Sequence, residues 1–224
     1  MLRLIFPLLL GLVGAAILLA LGFWQLERLE WKTAILAQID ATIGAAPVAL
    51  PAEPTPVRDK YLPVSVQGRL LGPEALVLTS YEDFGAGYRV IAAMELGDGR
   101  KIMVDLGFVA DREIDFARPL GAIAITGNLH WPEEVDSFTP EPELLRKLWF
   151  AREVDRMANV LGTGQVLVVA RSLDPPIAGV TPRPVDTAGV ANDHMVYAIT
   201  WFSLAVVWLG MTALLVWRIR RRTA

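Results

Sequence analysis

The sequence predicts an α+β membrane protein in which two transmembrane helices flank a β-rich domain, an antiparallel sheet with one small helix. Three observations predict it. Residues 4–24 and 195–217 contain no charged side chain, and as helices each would cross about 30 Å of hydrocarbon, since a crossing needs roughly 20 apolar residues. Between them lie short runs of Val, Ile and Leu broken by Gly, Pro and Asp-Gly, which is the pattern of strands and turns. Finally, 54% of the 224 residues are hydrophobic, more than one soluble domain of this size needs, and the excess sits at the two ends.

The first span, 4–24, has two readings. Arg3 before it and Ala20-Leu21-Gly22 at its end resemble a cleaved signal peptide. Signal h-regions, however, run only about 7–15 residues, whereas this run is longer and passes without a break into Gln25–Gln38, so a retained anchor fits better. Residues 25–60 follow as an amphipathic helix, with Leu29, Ile35, Leu36 and Ile39 among polar neighbours, and then an extended linker holding Pro47, Pro51, Pro54 and Pro56.

The folded domain spans 61–173, with strands expected at Tyr61–Leu71, Ala75–Tyr81, Tyr88–Leu96, Lys101–Val109, Ala122–Leu129 and Gln165–Arg171. Gly97-Asp98-Gly99 is a good hairpin turn, because glycine supplies positive φ, and the sheet is able to curl into a barrel. One helix is expected at Arg152–Leu161, stopped by Gly162. Residues 174–194 form a Pro/Gly-rich return segment to the second span, 195–217, and 218–224 a basic tail.

Arg218, Arg220, Arg221 and Arg222 follow that span directly, and basic flanks stay cytoplasmic. Both termini are therefore expected in the cytoplasm and the main domain in the periplasm. No Arg- and Ser-rich transit segment precedes the first span, which favours a bacterial plasma (inner) membrane.

All 24 acidic residues lie between the spans with 16 of the 21 basic ones, a balance of −8. That excludes nucleic acid as an expected partner, because such binding needs a basic face. The chain has no cysteine, so disulfides and thiolate metal sites are excluded. No Gly-x-Ser-x-Gly elbow, His-Glu-x-x-His pair or phosphate-binding glycine loop appears, and no enzymatic activity is expected.

Two histidines remain. His130, in Asn128-Leu129-His130-Trp131-Pro132 at the end of a strand, reads as structural. His194 opens the second span, and on a helix His194, Tyr197, Ala198 and Trp201 fall on one face. One account is an interfacial Tyr/Trp belt with Asn192 or Asp193 as helix cap. The other is an imidazole ligating haem iron beside aromatic rings, where lipid meets water. On the first span Trp24 and Arg28 lie at i, i+4, placing an arginine near His194 if the helices pack together. Arg28 would either pair a propionate or snorkel to the interface.

Leu21-Gly22-Phe23-Trp24-Gln25-Leu26-Glu27-Arg28-Leu29-Glu30-Trp31-Lys32 resembles the Leu-Gly-x-Trp-Gln-x-x-Arg-x-x-Trp-Lys signature of the Surfeit locus family of assembly factors. Asn192-Asp193-His194-Met195-Val196-Tyr197-Ala198-Ile199-Thr200-Trp201-Phe202 is similar to its Asn-Asn-His-x-x-Tyr-Ala-x-Thr-Trp-Phe motif. The resemblance implies a non-enzymatic assembly factor for haem-copper cytochrome c oxidase. It implies haem a as cofactor, His194 as its iron-contacting residue, and Tyr197, Trp201, Trp24 and Arg28 around it. The implied partners are the oxidase catalytic subunit and haem A synthase, in a lipid bilayer. The alternatives are a scaffold that stabilises an oxidase subunit without touching haem, and a ligand-binding sensor ectodomain. The chain departs from the family where Val-x-Arg-Gly-Trp-Val is usual: it has Val104-Asp105-Leu106-Gly107-Phe108-Val109, and Asp193 replaces the second Asn.

Overall fold

A computed structural model describes residues 2–114 and 118–223, with side-chain surroundings for 4–114 and 118–221. The Arg3 and Arg222 side chains of the basic flanks lie outside the described residues. The chain divides into two units, residues 1–38 with 187–224, and residues 39–186.

The first unit is a pair of helices. Helix α1 runs unbroken from Leu2 to Ile43, so the expected span and the expected amphipathic helix are one element. Nothing in Gln25–Gln38 breaks it: that stretch holds no Gly or Pro. Helix α4 runs from His194 to Thr223. Both are long and apolar enough to cross a membrane.

Each helix hides one narrow stripe. On α1 that stripe runs through Gly11, Ala15, Leu18, Gly22, Gln25, Leu29 and Lys32, each buried or half-buried. On α4, His194, Ala198, Trp201, Ala205 and Thr212 follow the same rule. Alternating steps of three and four give a 3.5-residue repeat, the period of a left-handed helix pair. Small residues make close approach possible: a Cβ on Gly11 would meet Thr212 at 2.2 Å, and one on Gly22 the Phe202 ring at 2.5 Å. The Trp208 indole N–H donates to the Gly11 carbonyl at 3.0 Å, and Phe23 meets Phe202 edge to face with centroids 5.4 Å apart.

The second unit is a closed barrel. After α1 come a two-residue strand β1 (Val48–Ala49), a single turn α2 (Pro56–Asp59) and the long β2 (Pro63–Tyr81). Then follow β3 (Gly85–Leu96), β4 (Lys101–Ala110), β5 (Gly121–Leu129), β6 (Leu148–Trp149), helix α3 (Val154–Leu161) and β7 (Leu167–Asp174). The pairing β2-β3-β4-β7-β5 returns to β2, so the expected curling into a barrel is observed.

The sheet is mixed, which corrects the purely antiparallel expectation: β7 lies parallel to β4, and β1 and β6 lie parallel to β2. The two strands expected at Tyr61–Leu71 and Ala75–Tyr81 are one, because Gly72-Pro73 makes a bulge and no break. The register with β3 shifts between Leu70 and Glu74, and a bulge is where proline's missing N–H is tolerated. Likewise 44–60 is more than a linker, since it contains β1 and α2. Small strand β1 covers the edge of β2 at Val64–Ser65 that β3 does not reach, and β6 the edge at Leu76–Val77 that β5 does not reach; unpaired edges are templates for aggregation.

Strands β3 and β4 are buried on both faces. Val90, Ala92, Met94, Ile102, Val104 and Leu106 fill the barrel. Ile91, Ala93 and Met103 point the other way, under Trp149 and α3, whose Val154, Met157, Ala158 and Leu161 form its apolar stripe. Leu106 is 1% exposed inside the barrel. The carbonyl of Ile43, at the end of α1, accepts from Asn128 Nδ2 at 3.0 Å and from Arg171 Nη1 at 3.3 Å. A helix end leaves such carbonyls without partners, and these side chains satisfy one of them.

Candidate functional site

Gln25 is the most deeply buried polar residue of the helix pair, 9% exposed. It lies two residues before Glu27, the first charge after the apolar span, on the stripe that α1 turns toward α4. Its Oε1 stands 2.8 Å from Nδ1 of His194, the first residue of α4. The imidazole is half-buried, and its Nε2 has no hydrogen-bond partner among the described residues and is absent from the buried atoms that lack one. That nitrogen is accessible.

The other expected site residues divide. Trp201 shares the half-buried stripe with His194, whereas Trp24 and Tyr197 stand outward, 50% and 55% exposed. Arg28 lies over the Trp31 ring of its own helix, 4.5 Å from the centroid. The residue meeting His194 is thus Gln25, which sequence reasoning passed over in favour of its neighbours. The signal was present: Gln25 is the first polar residue on the Gly11-Ala15-Leu18-Gly22 repeat. Asn192 bonds Thr33 at 3.4 Å, and the Tyr197 N–H donates to the Asp193 carbonyl at 3.2 Å.

The barrel domain carries its own buried charges. Asp105, fully buried, accepts from Arg89 Nε at 2.7 Å, Arg152 Nη1 at 3.3 Å and the Gly107 N–H at 3.1 Å. Arg89 also donates to the Tyr81 hydroxyl and the Arg183 carbonyl, each at 2.8 Å. Arg152 pairs in addition with Glu134. Burial works against the Arg89 charge, but Asp105 and the Tyr81 hydroxyl together outweigh it and hold the guanidinium above its ordinary range. Burial raises the Glu74 carboxyl, but Arg118, at 2.7 Å, and Lys147 together outweigh it, so it stays below the usual range.

A depression of about 700 Å³ is lined by Lys60, Trp131, Glu133, Glu134, Arg152 and Arg156 among others. Its charges pair within the domain: Lys60 with Glu133, Arg152 with Glu134, Arg156 with Glu141. His130 stacks on Tyr61, centroids 5.5 Å apart. Burial, with the Arg152 and Lys60 cations adding, pushes its imidazole down to about 4. The His130 Nδ1 is itself buried without a hydrogen-bond partner, and among the described residues no side chain lining the depression presents an accessible metal-binding nitrogen as His194 does.

The profile of the SURF1 family matches residues 12–206, a stretch that takes in most of α1, the whole barrel and the start of α4 with His194. Surfeit locus protein 1 of Rattus norvegicus is 30% identical over 210 residues, covering 82% of this chain and 67% of its own length. A SURF1-like protein of Drosophila melanogaster is 30% identical, covering 83% and 69%. One from Rickettsia felis is 26% identical, covering 87% and 90%.

Proposed function

This chain belongs to the SURF1 family, and from that premise we propose that it is a membrane assembly factor for haem-copper cytochrome c oxidase. In this reading it binds haem a through His194 and positions it for insertion into the catalytic subunit, with haem A synthase on the supplying side. The role is carriage and shielding, without catalysis.

The observation that supports the reading is the His194 imidazole, pinned by Gln25 where the charge-free spans end, with Nε2 accessible. Among the described residues no group of three or more His, Cys, Asp or Glu comes together to hold a bare metal ion. A haem brings four nitrogen donors of its own, so a single imidazole would suffice to hold it, and the haem would supply the iron that takes that nitrogen. The protein's own residues would orient and shelter it: Trp201 would offer ring surface on the same stripe as His194, and Arg28 a guanidinium suited to a carboxylate. We place the barrel in the periplasm and the termini in the cytoplasm, on the basic residues that follow the charge-free run of α4.

The test is the visible absorption spectrum of detergent-purified protein from cells that make haem a, wild type beside His194→Ala. A haem band in the wild type that disappears in the variant is the expected result. No band in either overturns haem binding and leaves the scaffold, for which His194→Ala is silent in oxidase assembly.

A further inference from the structure

We propose that Gln25 is a positioning residue that holds His194 as the Nδ1–H tautomer, so that Nε2 is the nitrogen presented to a ligand. The metal-facing half of this inference rests on the haem reading above; the tautomer itself does not.

The 2.8 Å contact between Nδ1 and the Gln25 amide has two chemical solutions. Either Nδ1–H donates to Oε1, or the amide is turned and its NH₂ donates to an unprotonated Nδ1. The surroundings choose between them. Gln25 sits mid-helix, where every backbone N–H is already committed to a carbonyl one turn earlier. Each carbonyl still has a second lone pair. An amide in that position can therefore find acceptors for its NH₂ on its own helix, whereas its oxygen has to look elsewhere for a donor. His194 is the donor within reach. Gln25 as a whole is 9% exposed, so little water reaches its amide, and an unpaired buried acceptor costs about 1–3 kcal/mol.

The consequence for ligand chemistry is specific. A neutral imidazole binds a metal through its unprotonated nitrogen, and a partner on the other ring nitrogen fixes which one that is and how the ring is turned. With Nδ1–H tied to α1, Nε2 carries the lone pair, and it is the accessible nitrogen. The class of ligand is a metal centre with one open coordination position and its remaining donors supplied elsewhere, as in a metalloporphyrin. The same bond ties α1 to α4 beside the ligand, so loss of the ligand nitrogen and loss of its orientation are separable by mutation.

The chain has two histidines, which makes the experiment tractable. Full-length protein labelled with ¹⁵N-histidine, in detergent at a pH where the ring is neutral, is compared with His194→Ala to assign the signals. Ring couplings then read the tautomer directly. The expected result is a protonated Nδ1 and an unprotonated Nε2 in the wild type and in Gln25→Glu, whose carboxylate still accepts, and a shift toward Nε2–H in Gln25→Leu. Iron protoporphyrin, titrated as the probe, should then bind Gln25→Leu roughly 10- to 100-fold more weakly than wild type, the usual effect of losing such a partner, with Gln25→Glu retaining most affinity. An Nε2–H tautomer in the wild type, or a tautomer unchanged in Gln25→Leu, overturns the inference. Failure of the wild type to bind the porphyrin while Nδ1–H is observed overturns the haem reading alone and upholds the positioning role.

Discussion

Replacing Asp105 by alanine removes a fully buried carboxylate that faces two guanidiniums. The two arginines are affected unequally. Arg152 keeps Glu134 as a counter-charge, whereas Arg89, 9% exposed, is left with two neutral acceptors, the Tyr81 hydroxyl and the Arg183 carbonyl. Breaking a buried ion pair from one side costs about 3–5 kcal/mol, and the two surviving hydrogen bonds point to the lower end, about 3 kcal/mol. With a urea slope near 2 kcal/mol per M, the unfolding midpoint should fall by roughly 1.5 M. The assay is a urea series on detergent-solubilised full-length protein, reading the fraction of barrel that resists brief proteolysis. The double variant Asp105→Leu/Arg89→Met removes both charges and should regain more than half of the loss, because well-packed apolar replacements of buried pairs are often neutral. A midpoint shift below roughly 0.3 M for Asp105→Ala, or a double variant no more stable than the single one, would refute the reasoning.

Two further outcomes follow from the barrel. His130 has a folded-state value of about 4 against an ordinary 6.5, so the folded chain binds fewer protons than the unfolded one between these values. Stability is then full above pH 6.5 and declines as pH falls toward 4, by on the order of 2–3 kcal/mol; His130→Phe should flatten that part of the profile, and parallel profiles for the two proteins would remove His130 as the cause. Gly107 has φ +125°, and a Cβ there would meet the Thr181 carbonyl oxygen at 2.2 Å. Gly107→Ala should break the paired hydrogen bonds between Phe108 and Thr181 and destabilise by about 2–3 kcal/mol, seen as early cleavage within 175–186; equal protease resistance would show that the contact is dispensable.

The helix pair was legible in the sequence because charge-free runs of this length admit few other structures, and the hairpin at Gly97-Asp98-Gly99 because its turn chemistry is local. Gly99 does take a positive φ of 83°. The single strand across Gly72-Pro73 was not legible, since proline reads as a stop unless the bulge that accommodates it is known. The parallel contact of β7 with β4 joins Met103 to Leu167, a pairing no local pattern encodes. At the site, His194 stood out by its position at a span boundary. Gln25 did not, because i, i+4 spacing groups Trp24 with Arg28 and says nothing of which face meets the partner helix. That needed the 3.5-residue repeat on both helices.

The place of β7 in the barrel bears on how the protein is made. Until Leu167–Asp174 arrives, the strands run β4-β3-β2-β5 as an open sheet, with β4 and β5 as its two outer strands. The nascent domain therefore carries two adhesive borders through most of its synthesis, and loses both in one event when the final strand slots between them. That event joins residues far apart in the chain, so it is slow relative to hairpin formation. It comes only twenty residues before His194, when the second hydrophobic helix is about to emerge. Chains truncated before Leu167 should accumulate as aggregates, while those ending after Asp174 have every strand needed to close.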